Sequence, residues 1–330
     1  MFEIGKIPPE ILEKIVMKPM MGSKVKRDDV ILRPTTGEDC SAIDLGGEIC
    51  ILSTDPITGA AKDIGYLAVQ INCNDVYSSG AEPMGVLLTV LLPPGSDEEL
   101  LEEIMEGSLR AAEERNIEIL GGHTEVTDAV TKPLISAAVI GKTRNRKILA
   151  TGSAKVGQDV IMTKWAGTEG TAILAKEWEE GLRAYLSEEE LKNAQDMKNF
   201  LSVGEESLIA FEHGATAMHD ATEGGILGAV WEMAECSGLG VEVFVENIPV
   251  KEETKKICAA MQSDYLRLIS SGTMIIAADD GGKLVEKLQA AGIEAAVIGK
   301  LTEGGKYMLV NGMRLPLEQP GSDALYEAKL

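Results

Sequence analysis

Single acids recur in this sequence where a strand should end or a glycine-rich turn begin. They are Asp39 in GEDCSAID, Asp55 in STDPITG, Asp75 in NCNDVYSSG, the GGHTEV segment at 121–126, and Asp220 in HDATEGG. Hard cations such as Mg²⁺ take carboxylate oxygens, use few protein ligands, and fill their other positions with water and phosphate. Acids gathered from several strand ends would suit such a cation. The glycines of GGHTEV and HDATEGG would let a phosphate approach the backbone, and a helix starting near Glu223 would turn its N–H groups toward it. GTEGTAILAKE (167–177) repeats that logic at another helix start. Each position alone is also an ordinary turn residue, and Asp220 is also an ordinary helix-capping Asp. Their conjunction is what points to a Mg-nucleotide site.

Other reactive side chains are sparse. His123 follows a Gly-Gly pair, where it would serve as a general acid/base, as a phosphate-binding cation, or as a satisfied structural histidine. His213 precedes a glycine at a helix end, and His219 is expected to cap a strand. The five cysteines form no C-x-x-C pair, and no histidine stands at zinc-ligand spacing from one, so a reducing cytoplasm is expected and zinc is not. Cys40 and Cys73 adjoin the acids without a nearby basic residue and read as small buried hydrophobes.

The elements that must position these residues alternate along the chain. EICILST (48–54), GVLLTVLL (85–92) and LISAAVIG (134–141) have strand composition. Helices are expected from Ile64 to near Gly80, with Ile64, Leu67, Ala68 and Ile71 as the buried stripe, and after a Ser96/Glu99 capping box, where Leu101, Ile104, Met105, Leu109 and Ala112 repeat at helical spacing. The first residues, MFEIGKIPPEILEKIV, read as an amphipathic helix of mature, soluble protein. The basic stretch 142–159 lacks periodicity and marks a junction, giving domains 1–148 and 149–330. The second has strands VIMTK, VEVFV, TMIIAA, AAVIG and YMLV, with helices around 187–210, 223–237, 251–260 and 281–291. This is an α+β, two-domain pattern. A net charge of −22 opposes nucleic-acid and membrane partners. Lys18, Lys24, Lys26 and Arg27 form a basic segment, either solvated or facing an anionic acceptor.

Taken in order, these segments resemble the superfamily of aminoimidazole ribonucleotide (AIR) synthetase, thiamine-monophosphate kinase, selenophosphate synthetase and the hydrogenase-maturation protein HypE. GEDCSAID is similar to its G-[DE]-D-A-A-V-[IL] segment, NCNDVYSSGAEP to its N-x-[NS]-D-[IV]-x-x-x-G-A-x-P helix, and HDATEGG to its D-x-T-x-G-G. The resemblance implies an N-terminal mixed-sheet domain that forms a β-barrel with a second subunit, and a C-terminal α/β sandwich-type domain. It implies ATP and Mg²⁺, with Asp39, Asp55, Asp75 and Asp220 as metal ligands. Thr54, Asn72, Gly121, Gly122, Thr124, Gly224 and Gly225 would lie on the nucleotide side, and Asp220 and His123 would be catalytic.

Within the superfamily the pattern is most similar to the HypE group, through LSTDPI, GTEGTAILAKE and ENIPV. HypE carries a C-terminal Cys on which ATP-driven dehydration takes place, whereas this chain ends in Leu330 and its last cysteine is Cys258, so that cysteine-tethered reaction is not expected. His123 matches the Gly-Gly-His turn of selenophosphate synthetase and stands where AIR synthetase and thiamine-monophosphate kinase are expected to carry an acid, and no cysteine precedes Cys40 for selenium chemistry. The reading is therefore a cytoplasmic, homodimeric Mg-ATP enzyme. It would activate an amide or carboxylate-type oxygen of a small-molecule or peptide acceptor by phosphoryl transfer, in a ligase- or dehydratase-like reaction. A non-catalytic ATP-binding scaffold or regulatory protein is the alternative, and a metal-dependent phosphohydrolase a third.

Overall fold

The structure is a computed structural model that describes residues 6–58 and 63–329. Residues 1–5, Gly59 and Leu330, which figure in the reading above, lie outside it. By contact the chain forms two units: 27–33 with 39–148, and the described parts of 1–26 and 34–38 with 149–330. Among the described residues, no helix is long and apolar enough to cross a membrane.

The chain opens with α1 (Pro9–Leu12), a π-helical turn (Glu13–Met17) and α2 (Lys18–Met21). The first unit then contributes β1 (Val30–Leu32), β2 (Ser41–Asp44), β3 (Ile49–Ile57), α3 (Ile64–Ser78), β4 (Ala81–Leu92), α4 (Glu98–Arg115), β5 (Glu118–Val126) and β6 (Leu134–Thr143). Its six strands run β1-β2-β3-β6-β4-β5, antiparallel except for the parallel β4–β5 pair at one edge. Helix α3 covers β3, β6 and β4, and α4 packs on α3. The buried surface of α3 extends all round it, well beyond the expected stripe. Gly65 and Gly107 permit the close approach of the two helices: a Cβ at Gly65 would come within 2.0 Å of Ile104 O. The cap of α4 is Asp97, whose side chain accepts from Leu100 N at 3.0 Å, while Ser96 Oγ turns back to Pro93 O. Leu109 is exposed, and Ser108 and Ala111 take its place on the buried face.

The second unit continues with β7 (Asp159–Thr163), α5 (Thr168–Glu177), α6 (Glu179–Leu182), α7 (Glu188–Asp196), α8 (Gly204–Glu212), β8 (Ala215–Ala221), α9 (Gly225–Cys236), β9 (Gly240–Phe244), α10 (Glu252–Ala260), β10 (Thr273–Ala278), α11 (Gly281–Ala290), β11 (Ala295–Thr302), β12 (Lys306–Val310), β13 (Met313–Pro316) and α12 (Ala324–Glu327). Its sheet order is β13-β12-β9-β11-β7-β10-β8, with only β12–β9 parallel. Ile226, Leu227, Val230 and Met233 of α9 pack on Val160, Met162, Ile275 and Val243 of the strands. Leu174, Leu191, Ile257 and Leu268 form a second core under α5, α7 and α10. The single helix expected over 187–210 is broken at 201–203, because Leu201 and Val203 turn inward and Lys164 Nζ binds the Ser202 carbonyl.

Replacing Gly65 with Ala should destabilise the protein by about 1–3 kcal/mol, since the added methyl meets backbone that cannot rotate away. Gly47→Ala, where a Cβ meets nothing within 4 Å, should stay within about 0.5 kcal/mol in the same denaturant unfolding experiment.

Candidate functional site

In the first unit the acids are set by one strand and one helix. Side chains alternate along β3, so Ser53 and Asp55 share a face and Thr54 takes the other. Ser53 Oγ donates to Asp75 Oδ2 at 2.5 Å, and Asp75, on α3, is 1% exposed. Asn72, one turn earlier on α3, accepts from Asp55 N at 2.7 Å and donates to Asp55 O at 3.3 Å and Ala68 O at 2.9 Å. Asp55 itself is exposed at the strand end, as is Asp39 before β2. Carboxylate oxygens are the donors a hard divalent cation takes; of the three, the Asp75 carboxylate is held by a side-chain hydrogen bond and Asp55 is held through its backbone, and among the described residues neither falls in a set of three candidate ligands within 4.8 Å of one another.

Two expectations change here. Asn72 is fully buried with its amide committed to backbone, so it holds Asp55 in place instead of touching a ligand. Thr54 Oγ1 donates to Ala137 O at 2.8 Å on the face opposite Asp55.

GGHTEV is a strand, not a turn. It lies within β5, where Gly121 (φ 133°) and Gly122 (φ 144°) accommodate an irregularity in the pairing with β4. A Cβ at Gly122 would come within 1.8 Å of Leu88 O, so close strand pairing accounts for that glycine. His123 and Thr124 are exposed on this edge strand, and His123 Nε2 lies 3.2 Å from Glu125 Oε2.

In the second unit β8 carries His219 and Asp220, 2% and 1% exposed, and offers one ligand atom from each within 4.8 Å of the other. His219 does not cap the strand: it lies within it, with Nε2 3.1 Å from Glu232 Oε2 of α9, and Glu232 Oε1 lies 3.1 Å from Lys6 Nζ. The turn that follows departs from the phosphate-cradle reading. Gly224 N donates to Asp323 Oδ2 at 2.6 Å, so the anionic oxygen at this helix start belongs to the chain itself. A Cβ at Gly225 would lie 2.6 Å from Leu266 O, and one at Gly224 would lie 3.1 Å from Pro320 Cβ. Close packing against 266–267 and 320 therefore explains both glycines.

Two buried acids went unnoticed in the sequence. Asp323 also accepts from Ile269 N and Leu325 N, yet burial, with Glu223 nearby, pushes its carboxyl up to about 6. Glu169, at the start of α5, is pushed up to about 7 by burial first, and further by Asp323, Glu223 and Asp220, against a lowering influence of the Ser271 hydroxyl. Position in GTEGTA marked Glu169 only as a helix start. The partners that perturb it are 51 to 154 residues away in sequence and leave no local sign. Burial also pushes the Cys73 thiol up to about 12, consistent with an inert side chain.

Two family profiles match the sequence: "AIR synthase related protein, N-terminal domain" over residues 37–143 and "AIR synthase related protein, C-terminal domain" over 155–310. A hydrogenase expression/formation protein of Methanocaldococcus jannaschii is 28% identical over 318 residues, 93% of this chain and 91% of that one. Carbamoyl dehydratase HypE of Bradyrhizobium diazoefficiens is 28% identical over 275 residues, 80% and 78% of the two chains. A crystal structure of hydrogenase maturation protein HypE in complex with ATP has the same fold, with a TM-score of 0.71 at 20% identity over 98% of both chains.

The raised carboxyl of Glu169 sets a pH dependence. Its folded pKa lies above its unfolded value of 4.5, so its favourable contribution is complete below about pH 4.5 and is lost as pH rises through about 7. Glu169→Gln should remove that loss, leaving the variant more stable than the parent at pH 8 by roughly 1–3 kcal/mol, with the gap closing toward pH 5 in thermal unfolding scans.

Proposed function

This chain belongs to the AIR synthase related protein family, and from that premise we propose that it is a Mg-ATP-dependent enzyme activating an amide or carboxylate-type oxygen by phosphoryl transfer. The observation that carries the reading is the pair of acids held by β3 and α3: Asp75 bonded to Ser53, and Asp55 pinned through its backbone by Asn72. Two relatives support it: one is named carbamoyl dehydratase HypE, and a solved HypE holds ATP. Asp39, Asp55 and Asp75 are assigned to Mg²⁺, and Asp220 to a further metal contact in the second unit. Mg²⁺ supplies neutralisation of phosphate charge when bound, and phosphoryl transfer otherwise needs positioning more than a protein nucleophile. Ser53 fixes the carboxylate of Asp75, and Asn72 fixes the backbone from which the Asp55 side chain extends. His123, solvent-facing beside Glu125, is assigned to proton transfer or phosphate contact.

The same reading includes a homodimer. The sheet of the first unit leaves Met84, Leu87, Leu120 and Val126 exposed, and β5 is an uncovered nine-residue edge. An edge of that length beside apolar side chains favours pairing with another strand, here that of a second copy.

Calorimetric titration with ATP should show binding that requires Mg²⁺ and weakens at least tenfold in Asp75→Asn, which keeps an acceptor for Ser53 but removes the charge. Binding indifferent to Mg²⁺ would overturn the metal assignment. Mg-dependent binding without ADP release across amide and carboxylate acceptors would favour the scaffold reading. Light scattering should give a dimer that Leu120→Glu converts to monomer.

A further inference from the structure

An open cavity of about 480 Å³ lies wholly within the second unit, walled by the opening helical turns, residues 35–36, α9 and Gln319. That volume suits a small molecule, and none of the residues assigned above to ATP or Mg²⁺ lines it. Helix geometry builds two of its walls. Trp231 and Glu235 stand four residues apart and share a face of α9, while Glu10 on α1 and Glu13 stand three apart in one continuous helical run and share another. No basic side chain lines the cavity. Lys306, from β12, places its Nζ 2.6 Å from Glu235 Oε2 and 5.1 Å from the Trp231 ring centroid, so the chain itself seats an ammonium group against this ring and acid. Glu10 and Glu13 have no ion-pair partner among the described residues. A wall with that excess of carboxylates repels anions and concentrates cations. Among the described residues, Glu10, Glu13 and Glu235 do not bring three oxygens within 4.8 Å of one another, so they are too spread to share one metal ion. What fits is a cation whose charges are spaced along an apolar body.

We propose that this cavity binds a small aliphatic diamine, with one ammonium group at Glu10 and Glu13 and the other at the Trp231–Glu235 face. Ion pairs at open positions are individually weak and screened by salt, so binding depends on both ends acting together and is strongest at low ionic strength. The site needs neither nucleotide nor acceptor, and its outcome is independent of ATP binding.

The test titrates the full-length protein with putrescine, without nucleotide or Mg²⁺, while tryptophan fluorescence and heat are followed. A saturable change should appear in both, and butanediol, of equal length and without charge, should produce neither. Trp231→Phe should remove the fluorescence change and keep the heat, because Trp165 and Trp178 lie outside the cavity. Glu10→Gln combined with Glu13→Gln should weaken binding about fivefold or more. Glu102→Gln combined with Glu103→Gln removes the same charge from exposed positions of α4 in the first unit, and should leave binding unchanged. Absence of saturable binding, an equal response to butanediol, a fluorescence change that persists in Trp231→Phe, or equal weakening in the two double variants would each overturn the proposal, the last by tracing binding to the diffuse field of an acidic protein.

Discussion

A helix buried on nearly every side cannot carry Asn72, Asn74 and Asp75 unless each finds a polar partner, and α3 is such a helix. An unmatched amide or carboxylate there would cost on the order of 1–3 kcal/mol or more, comparable to a sizeable share of a domain's stability. The partners come chiefly from β3, whose end supplies the Asp55 backbone to Asn72 and the Ser53 hydroxyl to Asp75. Burial of α3 thus sets the placement of the acids on which the proposed chemistry rests. The tight crossing of α4 at Gly65 holds α3 in the depth that makes this necessary.

The second unit handles acidic groups differently. Among the described residues, Glu169, Glu223 and Asp323 form no ion pair. Asp323 is met by three backbone amides and Glu223 by the Tyr326 hydroxyl at 2.8 Å. Amide dipoles only partly offset burial, so the charge of Glu169 and Asp323 is held less firmly than an exposed carboxylate's. Glu232 instead has both a lysine and a histidine at its oxygens.

Much of this was legible in the residues. Apolar β-branched runs located β3, β4 and β6, and helical spacing located α3, α4 and α9, because those signals are local. The acids at strand ends were visible for the same reason. What the sequence concealed depends on distant packing. Gly121 and Gly122 read as a turn because a strand irregularity also needs glycine, and nothing nearby reveals that Leu88 lies against one of them. Gly224 and Gly225 read as a phosphate cradle because their real neighbours, 266–267 and 320, are far along the chain. The His219–Glu232 pair links a strand to a helix thirteen residues on, a spacing with no periodic signature.

The Lys6–Glu232 contact joins positions 226 residues apart, and residues 34–38 belong by contact with the unit that resumes at Leu149. The second unit is therefore discontinuous, interrupted by the whole of the first. A single peptide cleavage between Ile148 and Leu149 would not yield two self-sufficient halves, since the C-terminal fragment would lack Lys6 and Gly37, which pack against Glu232 of α9. Such long-range closure also slows assembly, because its entropy must be given up before those contacts form. The first unit is nearly continuous, so all of its strand partners have been made by the time the chain reaches Ile148.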